Sequence, residues 1–194
     1  MRIFLLVIIA IVDLLANYPY LRDVIKGKTK PNIASWSTWT LINIIIVVAA
    51  IAAGGAINTV VLGATYLVGS LSILLVGIFK GTRKYTLFDG ICQTVAILGV
   101  VLWQLTNNPN IALLFVLIVD ISAVTPTVRH AYKYPHEETW ATFAIASVGA
   151  LGLVALATSF SFASLAIPIE ATIVNALLAG IIISRQGKTK ALTK

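Results

Sequence analysis

Three carboxylic acids sit inside stretches otherwise apolar enough to lie in lipid: Asp13, Asp120 and Glu170. Apart from Arg2 at the very start of the first run, no Lys or Arg falls within the same apolar runs, so no basic partner is at hand. An ionised carboxylate in a bilayer costs at least about 2.5–3.5 kcal/mol on insertion scales. Such acids therefore face a protein interior or carry a proton, and a desolvated acid can couple proton movement to another event. The competing reading is an acid tied to nearby hydroxyls and amides that holds helices in register. Asp13, Asn17 and Tyr20 follow i, i+4, i+7 and share one helical face. Asp120 and Thr127 keep the outer two places of that pattern, with Val124 in the middle.

The two aspartates belong to a longer repeat. Asp13 precedes Pro19 by six positions, and Asp120 precedes Pro126 by the same number. Arg22 and Arg129 each follow three positions after their proline. Pro31 precedes Trp36 by five, and Pro135 precedes Trp140 by five. Only the polar turn between the two prolines differs, being three residues shorter in the second copy. An insertion confined to a turn is what duplication of a structural unit leaves behind.

These acids and prolines need helices to carry them. Hydrophobic residues make up 59% of the chain and charged ones 11%, and the mean hydropathy of +0.97 is that of a membrane protein. Apolar runs cover roughly Met1–Leu21, then about 36–53, 56–79, 86–105, 109–127, 140–158 and 163–184. Each approaches the about 20 residues a helix needs to cross about 30 Å of hydrocarbon. Asp13 and the internal likeness argue that the first run is a span and not a cleaved signal. Breaks fall at Gly54-Gly55, at Lys80–Lys84, at Asn107-Asn108-Pro109-Asn110 and at Ser159–Ser161.

Seven spans divide the Lys and Arg residues thirteen to one between the two faces, with Arg2 alone on the first. That bias puts the amino terminus outside and the carboxyl terminus in the cytoplasm, with an inner (plasma) membrane as the site. The net charge of +7 lies in short turns, so it points to anionic lipid headgroups and away from nucleic acid. A three-span unit ends on the opposite side from its start, and the unpaired fourth span returns the chain. Both copies then share one orientation about a pseudo-twofold axis along the membrane normal, with a solute path between them. The expected fold is all-α: a first bundle over 1–84, a linker span over 85–106, a second bundle over 107–186 and a basic tail over 187–194.

The stretch from Pro19-Tyr20-Leu21-Arg22 through Lys28-Thr29 to Ser35-Trp36 resembles a PQ-loop motif, and Pro126-Thr127-Val128-Arg129 resembles a second, more degraded copy. With the three-one-three arrangement, nearly the whole chain resembles the SWEET and PQ-loop transporter superfamily. Tyr20 and Thr127 stand where that family has glutamine. The resemblance implies transport of a small polar solute, sugar or amino-acid-like, by alternating access and without a nucleotide motor or cofactor. It also implies a pocket asparagine on the third helix of a bundle, a role carried here by Asn175 with Ser70 as its approximate counterpart. The deep parts of the second helices, 47–53 and 150–157, lack the aromatic residue of the sugar-binding members. The KDEL receptor shows that the same fold can serve cargo binding without transport, the alternative function here.

The expected pathway residues are thus Asp13, Asn17, Tyr20, Tyr66, Ser70, Asp120, Thr127, Glu170 and Asn175. Tyr66 and Glu170 are 104 positions apart, as are Trp36 and Trp140, which suggests facing pairs across the axis. Pro19, Pro126 and Pro168 each remove a backbone donor, so each is a hinge or a helix end. Trp36, Trp39 and Trp140 read as an inner aromatic belt and Trp103 as its outer counterpart. His130 and His136 read as loop residues near headgroups. No Cys or acid cluster accompanies them to make a structural metal site. Asp89 reads as a helix-terminus residue favoured by the dipole. The Gly-Lys-Thr-Lys stretches at 27–30 and 187–190 lack the upstream glycine of a phosphate loop. No arrangement suggests an enzyme, and the oligomeric state stays open.

Overall fold

The computed structural model describes the backbone of residues 2–52, 57–81, 84–106, 109–155, 157 and 160–192. The expected breaks at Gly54-Gly55, Asn107-Asn108 and Ser159 lie outside the described residues, as do Arg83 and Lys194. So do the side chains of Asp13, Asn58 and Lys190.

Seven α-helices account for the fold, with no strand among the described residues. They are α1 (Arg2–Ile25), α2 (Ile33–Ala52), α3 (Ile57–Lys80), α4 (Leu87–Leu105), α5 (Pro109–Lys133), α6 (Trp140–Ala155) and α7 (Phe162–Leu192). A 3-10 turn, Pro135–Glu137, precedes α6. Among the described residues, three helices are long and apolar enough to cross a membrane, over Leu87–Leu105, Leu114–Lys133 and Leu165–Lys188. Shorter apolar helical stretches lie at Ile33–Val48, Ala64–Lys80 and Trp140–Ala155.

Local chemistry fixes the helix ends. Gly27 takes φ +71°, a left-handed turn that closes α1. Gly27 N–H bonds Val24 O at 2.9 Å and Lys28 N–H bonds Asp23 O at 2.8 Å, the paired bonds that satisfy a helix's last carbonyls. Asn32 caps α2 by accepting from Ser35 N–H at 3.2 Å. Thr86 and Asp89 form a reciprocal capping box at the start of α4, so Asp89 does hold a helix terminus.

The prolines do not end their helices. α1 continues past Pro19 to Ile25, α5 past Pro126 to Lys133, and α7 carries Pro168 internally. The expected inner ends near Leu21 and Thr127 are therefore too short, and α7 runs through 187–192 where a tail was expected.

Packing follows a pattern. α3 lies between α1 and α2, and α7 lies between α5 and α6. α1 meets α6, α2 meets α5, and α4 rests on α5 and α2. The buried core joins Tyr20, Val24, Trp36, Ile73, Val124, Ala131, Phe143, Leu178, Ala179 and Ile182, drawn from every helix except α4. Large apolar side chains such as Val48, Leu98, Val148 and Leu177 point outward instead. With apolar groups on both sides, helices associate through close backbone approach at small residues. A Cβ on Gly99 would stand 2.5 Å from Val119 Cγ2, and one on Gly77 would stand 2.7 Å from Pro31 Cγ.

Candidate functional site

A cavity of about 340 Å³ lies between α1–α3 on one side and α5–α7 on the other. Its polar lining brings together Asp120 from α5 and Glu170 and Asn175 from α7. Facing them are Asn17 from α1, Asn43 from α2, and Tyr66 and Ser70 from α3. Of the expected pathway residues, six therefore line one space: Asn17, Tyr66, Ser70, Asp120, Glu170 and Asn175. The expected facing of Tyr66 and Glu170 places both in this lining.

The Asp120 and Glu170 carboxyl groups interact directly, although 50 positions separate them. Trp39 Nε1–H donates to Asp120 Oδ1 at 2.9 Å, so a residue of the first triple reaches an acid of the second. Glu170 Oε1 is buried without a hydrogen-bond partner, and so is Thr142 Oγ1 in the same lining. Asn43 Nδ2 donates to Ser70 Oγ at 3.2 Å, and Ser70 Oγ donates to Tyr66 O at 3.0 Å. Asn175 Nδ2 donates to Ala171 O at 2.8 Å, which leaves its carbonyl oxygen for other partners. No Lys, Arg or His is among the described lining residues. The wall offers carboxyls, carboxamides, hydroxyls and indole faces, the equipment for holding a polar solute through several hydrogen bonds.

Beneath the cavity a second polar assembly joins the α1–α2 turn to the α5–α6 turn. Glu138, 3% exposed, accepts from Tyr20 Oη at 2.9 Å through Oε2 and meets His130 Nδ1 at 2.8 Å through Oε1. Trp36 Nε1–H donates to Tyr20 Oη at 3.3 Å, and the Tyr20 ring packs against Trp36 and Phe143. Burial pushes the Glu138 carboxyl above its ordinary range, and the His130 and Tyr20 bonds pull it part of the way back. Thr29 Oγ1 and Thr139 Oγ1 share a bond of 2.5 Å, and Thr139 Oγ1 donates to Asp23 Oδ2 at 3.1 Å. Lys30 pairs with Glu137 through side chains, and Lys30 N–H bonds Glu137 O at 2.9 Å. The two turns that the sequence repeats thus close upon one another.

Several expectations need correction. Tyr20 and Thr127 are 0% exposed and lie in the core, outside the cavity lining. Aromatic packing and Glu138 hold Tyr20 there, while Thr127 Oγ1 has no hydrogen-bond partner. Trp36 and Trp39 are not belt residues, because both line the cavity and each indole N–H serves an interior acceptor. Trp140 is exposed, so Trp36 and Trp140 are not a facing pair. His130 is a buried helical residue and not a loop residue. Asp13 has its backbone in α1, but its side chain lies outside the described residues.

Glu137, Glu138 and Asn43 entered no expectation, and Trp39 entered only as a belt residue. Trp39 and Asn43 stand at i, i+4, which puts both on one face of α2 and could have flagged a polar stripe there. The adjacent acids 137 and 138, immediately before the second Thr-Trp pair, carried no comparable signal. Among the described residues, no group of three or more His, Cys, Asp or Glu is placed to hold a metal ion. No family model, no curated protein and no solved structure matches the chain.

Proposed function

We propose that this chain is an integral membrane transporter that moves a small polar solute by alternating access. Its seven helices act as two parallel three-helix bundles, α1–α3 and α5–α7, joined by α4. The observation that carries the reading is the cavity: about 340 Å³ of polar-lined space between the two triples, with a buried carboxyl oxygen left unbonded. A twofold exchange of α1 with α5, α2 with α6 and α3 with α7 turns each packing contact among these six helices into another one present. The α1–α6 contact becomes α5–α2, and the position of α3 becomes that of α7. The solute occupies the axis and the bundles rock about it. The basic turns face the cytoplasm, and the closed Glu138 assembly is then the inner gate. Pro19 and Pro126 lie just above that gate and weaken their helices where bending is needed.

Asp120 and Glu170 supply the coupling. Two carboxyl groups in direct contact share a proton, and its loss drives them apart. A solute bound between them and a proton then compete or cooperate for one site. The decisive assay is solute uptake into liposomes holding purified protein, with and without a proton gradient. Uptake that ignores the gradient, or that keeps its dependence in both Asp120→Asn and Glu170→Gln, rejects the coupling. Failure of any polar solute to cross rejects transport itself. Orientation has a separate check, because the chain's single cysteine, Cys92, is buried. Lys26→Cys and Lys133→Cys introduced into the full chain should react with an impermeant thiol reagent from the same side, and reaction from opposite sides would reject the parallel bundles.

A further inference from the structure

On the basic-turn side, outside the gate, lies a second recess of about 250 Å³. Lys84 reaches it from the residues before α4, and Arg129 and Lys133 reach it from one face of α5. The carboxylates in its wall are already engaged. Asp89 Oδ2 accepts from Thr86 N–H and Oγ1 at 2.7 and 2.6 Å, and Oδ1 accepts from Asn32 Nδ2 at 3.3 Å. Glu137 is paired with Lys30. Apart from Lys30, the cations are not matched in this way. Arg129 gives one N–H to Thr86 Oγ1 at 3.1 Å and stacks 4.7 Å from the Phe88 ring, with no carboxylate in reach among the described residues. Lys84 and Lys133 make no hydrogen bond or ion pair among the described residues.

A buried atom also points to a ligand. His130, 8% exposed, lines the recess, and its Nε2 has no hydrogen-bond partner. Glu137 Oε2 stands 3.3 Å from that nitrogen, but off the direction a hydrogen bond requires. A group with several acceptor oxygens would satisfy the guanidinium and both ammonium groups together, and this nitrogen as well when the imidazole carries both protons. We propose that this recess binds a phosphate group. A second recess of about 270 Å³ shares Asn32, Lys84 and Asp89 with it and is lined by Ile33, Ala34 and Ile78. The phosphate is therefore that of a soluble phosphate compound or of a lipid headgroup whose apolar part lies in this neighbouring recess. The site joins the α1–α2 turn, the start of α4 and the end of α5, so its occupant braces the closed inner side. It stands independently of what crosses the central cavity.

The test measures binding to the full chain in neutral detergent at fixed ionic strength. Inorganic phosphate is one probe, with sulfate as the competing anion, and phosphatidylglycerol in phosphatidylcholine nanodiscs is the other. The Lys84→Gln/Lys133→Gln double variant removes two partnerless, exposed cations, so it leaves the fold intact. Lys26→Gln/Lys28→Gln removes the same charge outside the recess. Binding of at least one probe should weaken on the order of a hundredfold in the first variant and stay within about twofold in the second. Phosphate binding alone assigns a soluble ligand, and phosphatidylglycerol enrichment alone assigns a lipid. Equal losses in the two variants, or no binding of either probe to the natural chain, overturn the proposal.

Discussion

The two polar assemblies between the helix triples are made of similar groups and treat them in opposite ways. At the two basic turns Glu138 has both oxygens engaged by side chains from two other positions, Tyr20 and His130. In the cavity Glu170 leaves Oε1 without a hydrogen bond, and Thr142 Oγ1 is likewise unmet. A buried polar group that is fully bonded holds structure together, whereas one that is not costs stability and awaits a partner. The first assembly is a closure, and the second is a socket.

Breaking the closure should have the largest effect. Glu138→Ala strands the Tyr20 hydroxyl and His130 in the core and should cost about 3–5 kcal/mol, read as a fall in the melting temperature of purified protein. The socket should respond the other way. Glu170→Gln should change stability by less than about 1 kcal/mol, since few bonds are lost, while solute flux in liposomes falls at least about tenfold. A stability loss in Glu170→Gln as large as that in Glu138→Ala would erase the distinction.

A pH series sharpens it further. The folded Glu138 carboxyl is held above its unfolded value, so its contribution to stability is full below the unfolded value and is lost as pH rises through the folded one. Glu138→Gln, which mimics the neutral acid, should therefore gain on the natural chain as pH climbs above about 4.5, the ordinary carboxylate value. A gap between the two melting temperatures that stays constant across the series contradicts this. The smallest effect belongs to Gly69→Ala. The new Cβ would lie 2.5 Å from Asn17 Nδ2, the movable end of a side chain. Stability should fall by about 1 kcal/mol or less while solute affinity shifts, because Asn17 must leave its place in the cavity wall.

Much of the socket was legible from residue type and helical period. Asp120, Glu170 and Asn175 stand out as polar residues in apolar helices, and such residues turn inward for want of any other solvent. The number of helices was legible for the same reason, since apolar length counts them. What was not legible was which end of which face meets which. Trp36 and Trp39 have the composition of a membrane belt, and only the approach of α2 to α5 supplies Trp39 with the Asp120 acceptor. Tyr20 shares a face with Asn17, yet it lies beyond the cavity because the core closes below it. Proline misled at the inner ends: it weakens a helix, but packing carried α1 and α5 onward. Glu138 and His130 escaped because their roles depend on a turn 118 positions from Tyr20.

That separation has a consequence for how the chain is made. At roughly 5–20 residues per second, a ribosome needs about 6–24 s to travel the 118 positions from Tyr20 to Glu138. Through that interval the hydroxyl of the nascent first helix has no native acceptor from the second turn. This closure is therefore a late event of biosynthesis, and α1 must wait for a partner not yet translated.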